Sequence, residues 1–154
     1  MSRKSNIPIR KRAVVGVILR HNTFLTIRRS QQVVAPGKVC FPGGGIERGE
    51  SEQDALVREI REELGVAAIA GTRLYETVTD WGTSVAWWHA HVEENAQFVL
   101  HPGEVAETHW FAPQILLRDP DLLSSNRDFL VAWGRSTFAI PGIAVPPDWD
   151  ETCG

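Results

Sequence analysis

The chain has 154 residues, enough for one domain with a buried core, and its 43% hydrophobic and 23% charged content is that of a soluble globular protein. No apolar run approaches the ~18 residues of a membrane span, which excludes a helical membrane protein. The net charge of −3 is local: residues 47–63 carry seven acids and three bases, a net of −4, and the rest sums to +1.

Residues 1–12 form a basic N-terminal arm, with Arg3, Lys4, Arg10, Lys11 and Arg12 and no acid. A solvated terminus is expected there in preference to a nucleic-acid contact. No hydrophobic stretch follows it as in a signal peptide. Cys40 and Cys153 match neither disulfide nor metal spacing, so a reducing cytoplasm is the expected setting. Residues 13–20 (AVVGVILR) and 24–28 read as strands joined by a turn at His21, Asn22 and Thr23. Residues 33–45 read as loop, short strand, loop.

The next stretch organises the chain. Gly43, Gly44, Gly45 and Gly49 mark a loop. Ser51 stands as the N-cap of a helix with Glu52 and Asp54 in its first turn, and Gly65 ends it. At about 100° per residue, Glu62 and Glu63 lie within about 60° of Glu59 on either side. The three carboxylates form a ridge beside an apolar stripe of Leu56, Val57, Ile60 and Leu64. Such crowding costs roughly 0.2–0.5 kcal/mol per like-charged pair. A divalent cation makes sense of it: Mg²⁺, with Mn²⁺ as a substitute, takes hard oxygen ligands and completes its shell with water and substrate phosphate.

After the helix, residues 73–79 and 84–92 read as strands joined by Asp80, Trp81 and Gly82. His89 and His91 fall on one face of the second, as residues of a strand face in preference to metal ligands. Residues 99–111 hold Glu104 and Glu107. Residues 113–117 and 124–133 read as short helices, and residues 141–154 form a Pro-rich C-terminal tail.

The string from Gly44 to Val66 resembles the box of the Nudix hydrolases, G-x5-E-x7-R-E-U-x-E-E-x-G-U with U aliphatic. Gly44, Glu50, Arg58, Glu59, Ile60, Glu62, Glu63, Gly65 and Val66 fill every fixed place. The resemblance implies an α/β domain over residues 13–140, a Nudix-type α/β/α sandwich with a mixed central sheet. It implies metal-dependent hydrolysis of a phosphoanhydride in a nucleoside diphosphate linked to another group. Glu59, Glu62, Glu63 and the Gly43 carbonyl are then the metal ligands, and Glu50 and Arg58 orient the loop and the ligand carboxylates. Glu62 is placed slightly ahead of Glu104 as the base; Glu104 stands six residues before Trp110, an offset common in the family. A basic residue after the second strand, Arg28 or Arg29, often faces the phosphates. Crowded carboxylates hold protons without metal, so activity is expected to fall as pH drops. The partner implied is a small nucleotide derivative, with neither membrane nor nucleic acid; dimers are common in the family. Arg29-Ser30 and Gly37 to Gly44 partly match the motif of members that cleave coenzyme A, which stays open as an alternative. So does a non-catalytic nucleotide sensor, although such domains usually show gaps in the box.

Overall fold

The computed structural model describes residues 7–152, so Arg3, Lys4 and Cys153 lie outside the described residues. The first strand, β1 (Lys11–Arg20), turns back into β2 (Thr23–Arg29). His21 and Asn22 take positive φ, 47° and 59°, the twist that a two-residue hairpin turn requires. β1 begins two residues before the apolar run, because its backbone continues alongside β6 (Thr83–Val92) from Lys11↔Thr83 to Ile18↔Ala90. That pairing is parallel. On its other side β1 pairs antiparallel with β4 (Gly43–Gly45), Val15 opposite Gly43 and Ala13 opposite Gly45.

The sheet is therefore mixed. β5 (Ala68–Val78) pairs antiparallel with β6, while β3 (Val39–Cys40) and β7 (Val105–Phe111) pair antiparallel with β2. β5 starts five residues earlier than the residue pattern suggests. Register shifts between Ala70 and Arg73 and between Arg73 and Tyr75 break the alternation that would have marked it.

Each face of the sheet carries helices, as the α/β/α expectation requires. α1 (Glu52–Leu64) packs Ala55, Leu56, Ile60 and Leu64 against Val14, Ile18, Ala86, Trp88 and Ala90. The helix lies close because Gly16 has no side chain: a Cβ there would sit 3.0 Å from Leu56 Cδ1. On the opposite face, α2 (Pro113–Arg118) and α3 (Ser124–Gly134) bury Leu116, Leu117, Phe129, Leu130 and Trp133 against Val17, Phe24, Phe41 and Trp87. Trp87 stacks on Phe129 at 4.2 Å between ring centres. Trp87 and Trp88 are thus core residues.

The tail packs on its own domain. Gln114 exchanges two hydrogen bonds with the Asp150 backbone, and Arg135 pairs with Glu151 at 2.7 Å. Trp149 meets Trp133 edge-on over Gly134, where a Cβ would come within 2.0 Å of its Nε1. No helix of the described residues is long and apolar enough to cross a membrane.

Candidate active site

Local chemistry defines both ends of α1. The Ser51 hydroxyl accepts from Asp54 N–H at 3.0 Å, and Gly65, at φ 66°, donates its N–H to the Arg61 carbonyl. The first turn is then pinned to the sheet by Glu52, whose Oε1 accepts from Trp88 Nε1 and Arg73 Nε, both at 2.9 Å. Arg73 is the main reason that the Glu52 pKa is lowered. Nothing in residue spacing announces this anchor, because its partners are 21 and 36 residues away.

The three carboxylates of the ridge have different fates. Glu63 is buried, only 5% exposed, and accepts from Gly43 N–H at 2.8 Å. Burial pushes its pKa up to about 8; the charges of Glu59 and Glu104 add to the rise, and the Gly43 hydrogen bond and Arg29 oppose it. Glu59 is partly buried. Its pKa is raised by burial first and by Glu62 and Glu104 after that, against the pull of Arg58. Glu62 is half exposed, with both oxygens 3.4 Å from Arg58 Nη1.

Arg58 holds the loop and the helix together. Its Nε and Nη2 grip both oxygens of Glu50, at 2.8 and 2.9 Å, in a two-point pair. Nη2 also donates to the Gly45 carbonyl at 2.9 Å, and Nη1 reaches Glu59 at 2.9 Å. The Arg58 fork, with the Glu47 N–H behind it, holds the Glu50 carboxyl down to a pKa of about 2. Glu50 in turn raises the pKa of Arg58, so both stay charged. The expectation that Glu50 and Arg58 orient the loop has this geometry beneath it.

A cleft of about 240 Å³ opens beside the ridge, lined by Arg29, Gly43, Gly44, Glu59, Glu63 and Glu104 among others. The glycines are required by close approach: a Cβ on Gly43 would sit 2.2 Å from the Val14 carbonyl oxygen, and one on Gly44 2.4 Å from the Glu59 carboxylate. Glu104 arrives from the loop before β7, braced at two points. Ser30 donates its N–H to the Glu104 carbonyl and its Oγ to the Gly103 carbonyl, at 2.9 and 2.7 Å. His101 N–H donates to the Glu63 carbonyl at 3.0 Å. Arg29 also lines the cleft, while Arg28 is turned to Asp121 at 3.0 Å. Glu62 is not among the lining residues. His89 is buried against the exposed His91, their rings 4.4 Å apart, and Trp81 is 69% exposed. Glu107 pairs with His109 at 2.8 Å.

The donor set fits a hard divalent cation. Apart from Arg29, the charged groups of the cleft are carboxylates, and neither His nor Cys lines it. A buried carboxyl held uncharged by its surroundings is one that a cation would ionise. Among the described residues, no three acidic, His or Cys side chains are grouped closely enough to hold a metal ion by themselves, so water and substrate would have to complete its shell. An open site of this kind suits an ion that retains water and takes ligands from its substrate.

A model of the NUDIX domain matches residues 10–133. The chain belongs to the Nudix family. It is 31% identical over 107 residues to the CTP pyrophosphohydrolase of Escherichia coli K12, a match spanning 70% of this chain and 79% of that one. It is 43% identical over 53 residues to the 8-oxo-dGTP diphosphatase of the same strain, covering 34% of this chain and 41% of that one. The fold is similar to the crystal structure of the MutT protein from Methanosarcina mazei Go1, with a TM-score of 0.70 and 24% identity over 86% of this chain and 97% of that one. Nudix proteins generally depend on a divalent metal, and the cleft has the donors for one.

Proposed function

We propose that this Nudix domain, residues 13–140 with the tail packed on it, is a pyrophosphohydrolase that cleaves a phosphoanhydride bond in a nucleotide derivative. The observation that carries the reading is Glu63: a glutamate buried within the cleft, beside Glu59 and Glu104 and at the mouth of a glycine loop that has no room for a side chain at Gly43 or Gly44. Glu59, Glu62, Glu63 and Gly43 are the proposed ligands of Mg²⁺, or of Mn²⁺ in its place. When bound, the ion would neutralise charge growing on the phosphoryl group and acidify the attacking water.

The chain's own groups do the remaining work. Arg29 is positioned to hold a substrate phosphate by charge-assisted hydrogen bonds. Arg58 pairs with Glu59 and Glu62 and holds the loop through Glu50 and Gly45. A carboxylate in the cleft then takes the proton of water. Placement favours Glu104 over Glu62 for that step, the reverse of the order read from the residues alone. Glu104 lines the cleft on a braced loop, whereas Glu62 is half exposed and paired with Arg58. Small-molecule nucleotide derivatives in a cytoplasmic setting are the proposed partners, and a homodimer is part of the proposal.

The test is phosphate release, through a coupled phosphatase, from nucleoside triphosphates, nucleotide sugars, ADP-ribose and coenzyme A, with and without Mg²⁺. Glu104→Gln should lower kcat by about 10²-fold or more, the low end for a general base. A larger loss in Glu62→Gln than in Glu104→Gln would return the proton to Glu62. Binding without cleavage of any of these compounds would make the domain a sensor.

A further inference from the structure

We propose that a basic groove beside the catalytic loop is a subsite for the phosphates of a substrate beyond the pair being parted. The chain would then prefer nucleotides with three or more phosphates. This rests on the hydrolase reading above. The groove has a volume of about 570 Å³ and is lined by Arg10, Lys11, Arg12 and Arg48, with Glu47 as its one carboxylate. Gly45 lines both this groove and the catalytic cleft.

Three features point to an anionic ligand. The first is charge. Arg12 stands 3.5 Å from Glu52, and Glu47 stands 3.8 Å from Arg58. Arg10, Lys11 and Arg48 have no ion-pair partner among the described residues. Three exposed, unneutralised cations at one groove repel one another, and a polyanion relieves that repulsion. The second is rigidity. The Arg10 and Lys11 N–H groups are held by the Gly82 carbonyl, and Ile46 N–H by the Arg12 carbonyl at 2.9 Å. The backbone of Arg10, Lys11 and Arg12 is thus fixed beside the groove, so a ligand has only their side chains to order. The third is space. The catalytic cleft, at about 240 Å³, lies below the roughly 300–1,000 Å³ of ordinary ligand pockets, so a nucleotide must extend out of it. The way past Gly45 is open: a Cβ there, or on Gly49, would meet nothing within 4 Å.

The experiment compares the wild type with the Lys11→Ala/Arg48→Ala double variant. Both side chains are exposed and lie outside the catalytic groups, so the melting temperature should be unchanged. With Mg²⁺ present, KM for a nucleoside triphosphate and for a dinucleoside tetraphosphate should rise about tenfold or more, the effect of one lost charge-assisted contact. kcat/KM for ADP-ribose should stay within about twofold. An equal fall for both kinds of substrate, or none for either, overturns the proposal. A second arm needs no turnover. Calorimetry with inorganic tripolyphosphate, in chelator, should show salt-sensitive binding that the double variant loses; absence of binding to the wild type overturns the subsite. If tripolyphosphate binds but no phosphoanhydride is cleaved, the hydrolase reading fails and takes the subsite's role with it. Equal binding of a hydroxyl-ended single-stranded RNA would make the groove a nucleic-acid track and also overturn the proposal.

Discussion

Replacing Glu63 with Gln removes one buried ionisable group and little else, since Gln keeps an oxygen for the Gly43 N–H. The consequence depends on pH and on metal. A carboxyl at its usual value of 4.5 in the unfolded chain and at about 8 in the folded protein makes the native state bind the extra proton. Native stability without metal is therefore lost as pH rises from about 4.5 to about 8, and the loss is complete above that. At about 1.4 kcal/mol per pH unit, the wild type is weakened by about 3 kcal/mol at pH 7 and about 5 kcal/mol above pH 9. Glu63→Gln escapes this. In chelator it should be about as stable as the wild type at pH 4 and more stable by about 3 kcal/mol at pH 7. Mg²⁺ at 100 times its Kd should close most of that gap at pH 7, because it stabilises the wild type by about 2.7 kcal/mol while the variant, one proposed ligand short, gains less. Urea denaturation at pH 4, 7 and 9, with chelator and with Mg²⁺, measures all of this. A stability difference between the two proteins that does not change with pH would refute the reasoning.

Four further outcomes are expected. Apparent Mg²⁺ affinity should rise about tenfold per pH unit up to about pH 8, as binding displaces the Glu63 proton, and calorimetry in buffers of different ionisation enthalpy should detect that proton. Arg58→Lys cannot reproduce the two-point grip on Glu50 with the bond to Gly45, so kcat/KM should fall about 10- to 100-fold while circular dichroism is unchanged. Gly44→Ala should abolish most activity at nearly normal stability, because its Cβ would displace the Glu59 carboxylate from 2.4 Å; recovery of wild-type kcat by this variant would show that Glu59 has room to move. Trp149→Ala should cost roughly 2 kcal/mol by exposing part of Trp133 and releasing the tail, read as a lower urea midpoint.

The candidate site was legible in the residues where its geometry is local. Ser51 and Gly65 cap α1 through bonds that span three and four residues, and the i, i+3 and i, i+4 spacing of Glu59, Glu62 and Glu63 follows from helical pitch alone. The Glu50–Arg58 pair, eight residues apart, came with the box. Depth was not legible. The same ridge contains a buried, a partly buried and a half-exposed carboxylate, and their order is set by how α1 lies on Gly16 and β4. The anchor of Glu52 on Trp88 and Arg73 was also missed, because it joins three elements with no shared pattern.

By itself the chain's order of residues determined the family, the helix that carries the carboxylate ridge and its ends, and which side chains are chemically able to hold a cation. Those properties depend on neighbours within two turns of helix or on a contiguous motif. Only the tertiary structure decided that Glu63 is shut away from water, that Glu104 reaches the same cleft from 41 positions further along, and that the basic start of β1 runs beside the glycine loop. The physical reason is that dielectric and proximity belong to packed elements: strand pairing and the close seat of α1 set them.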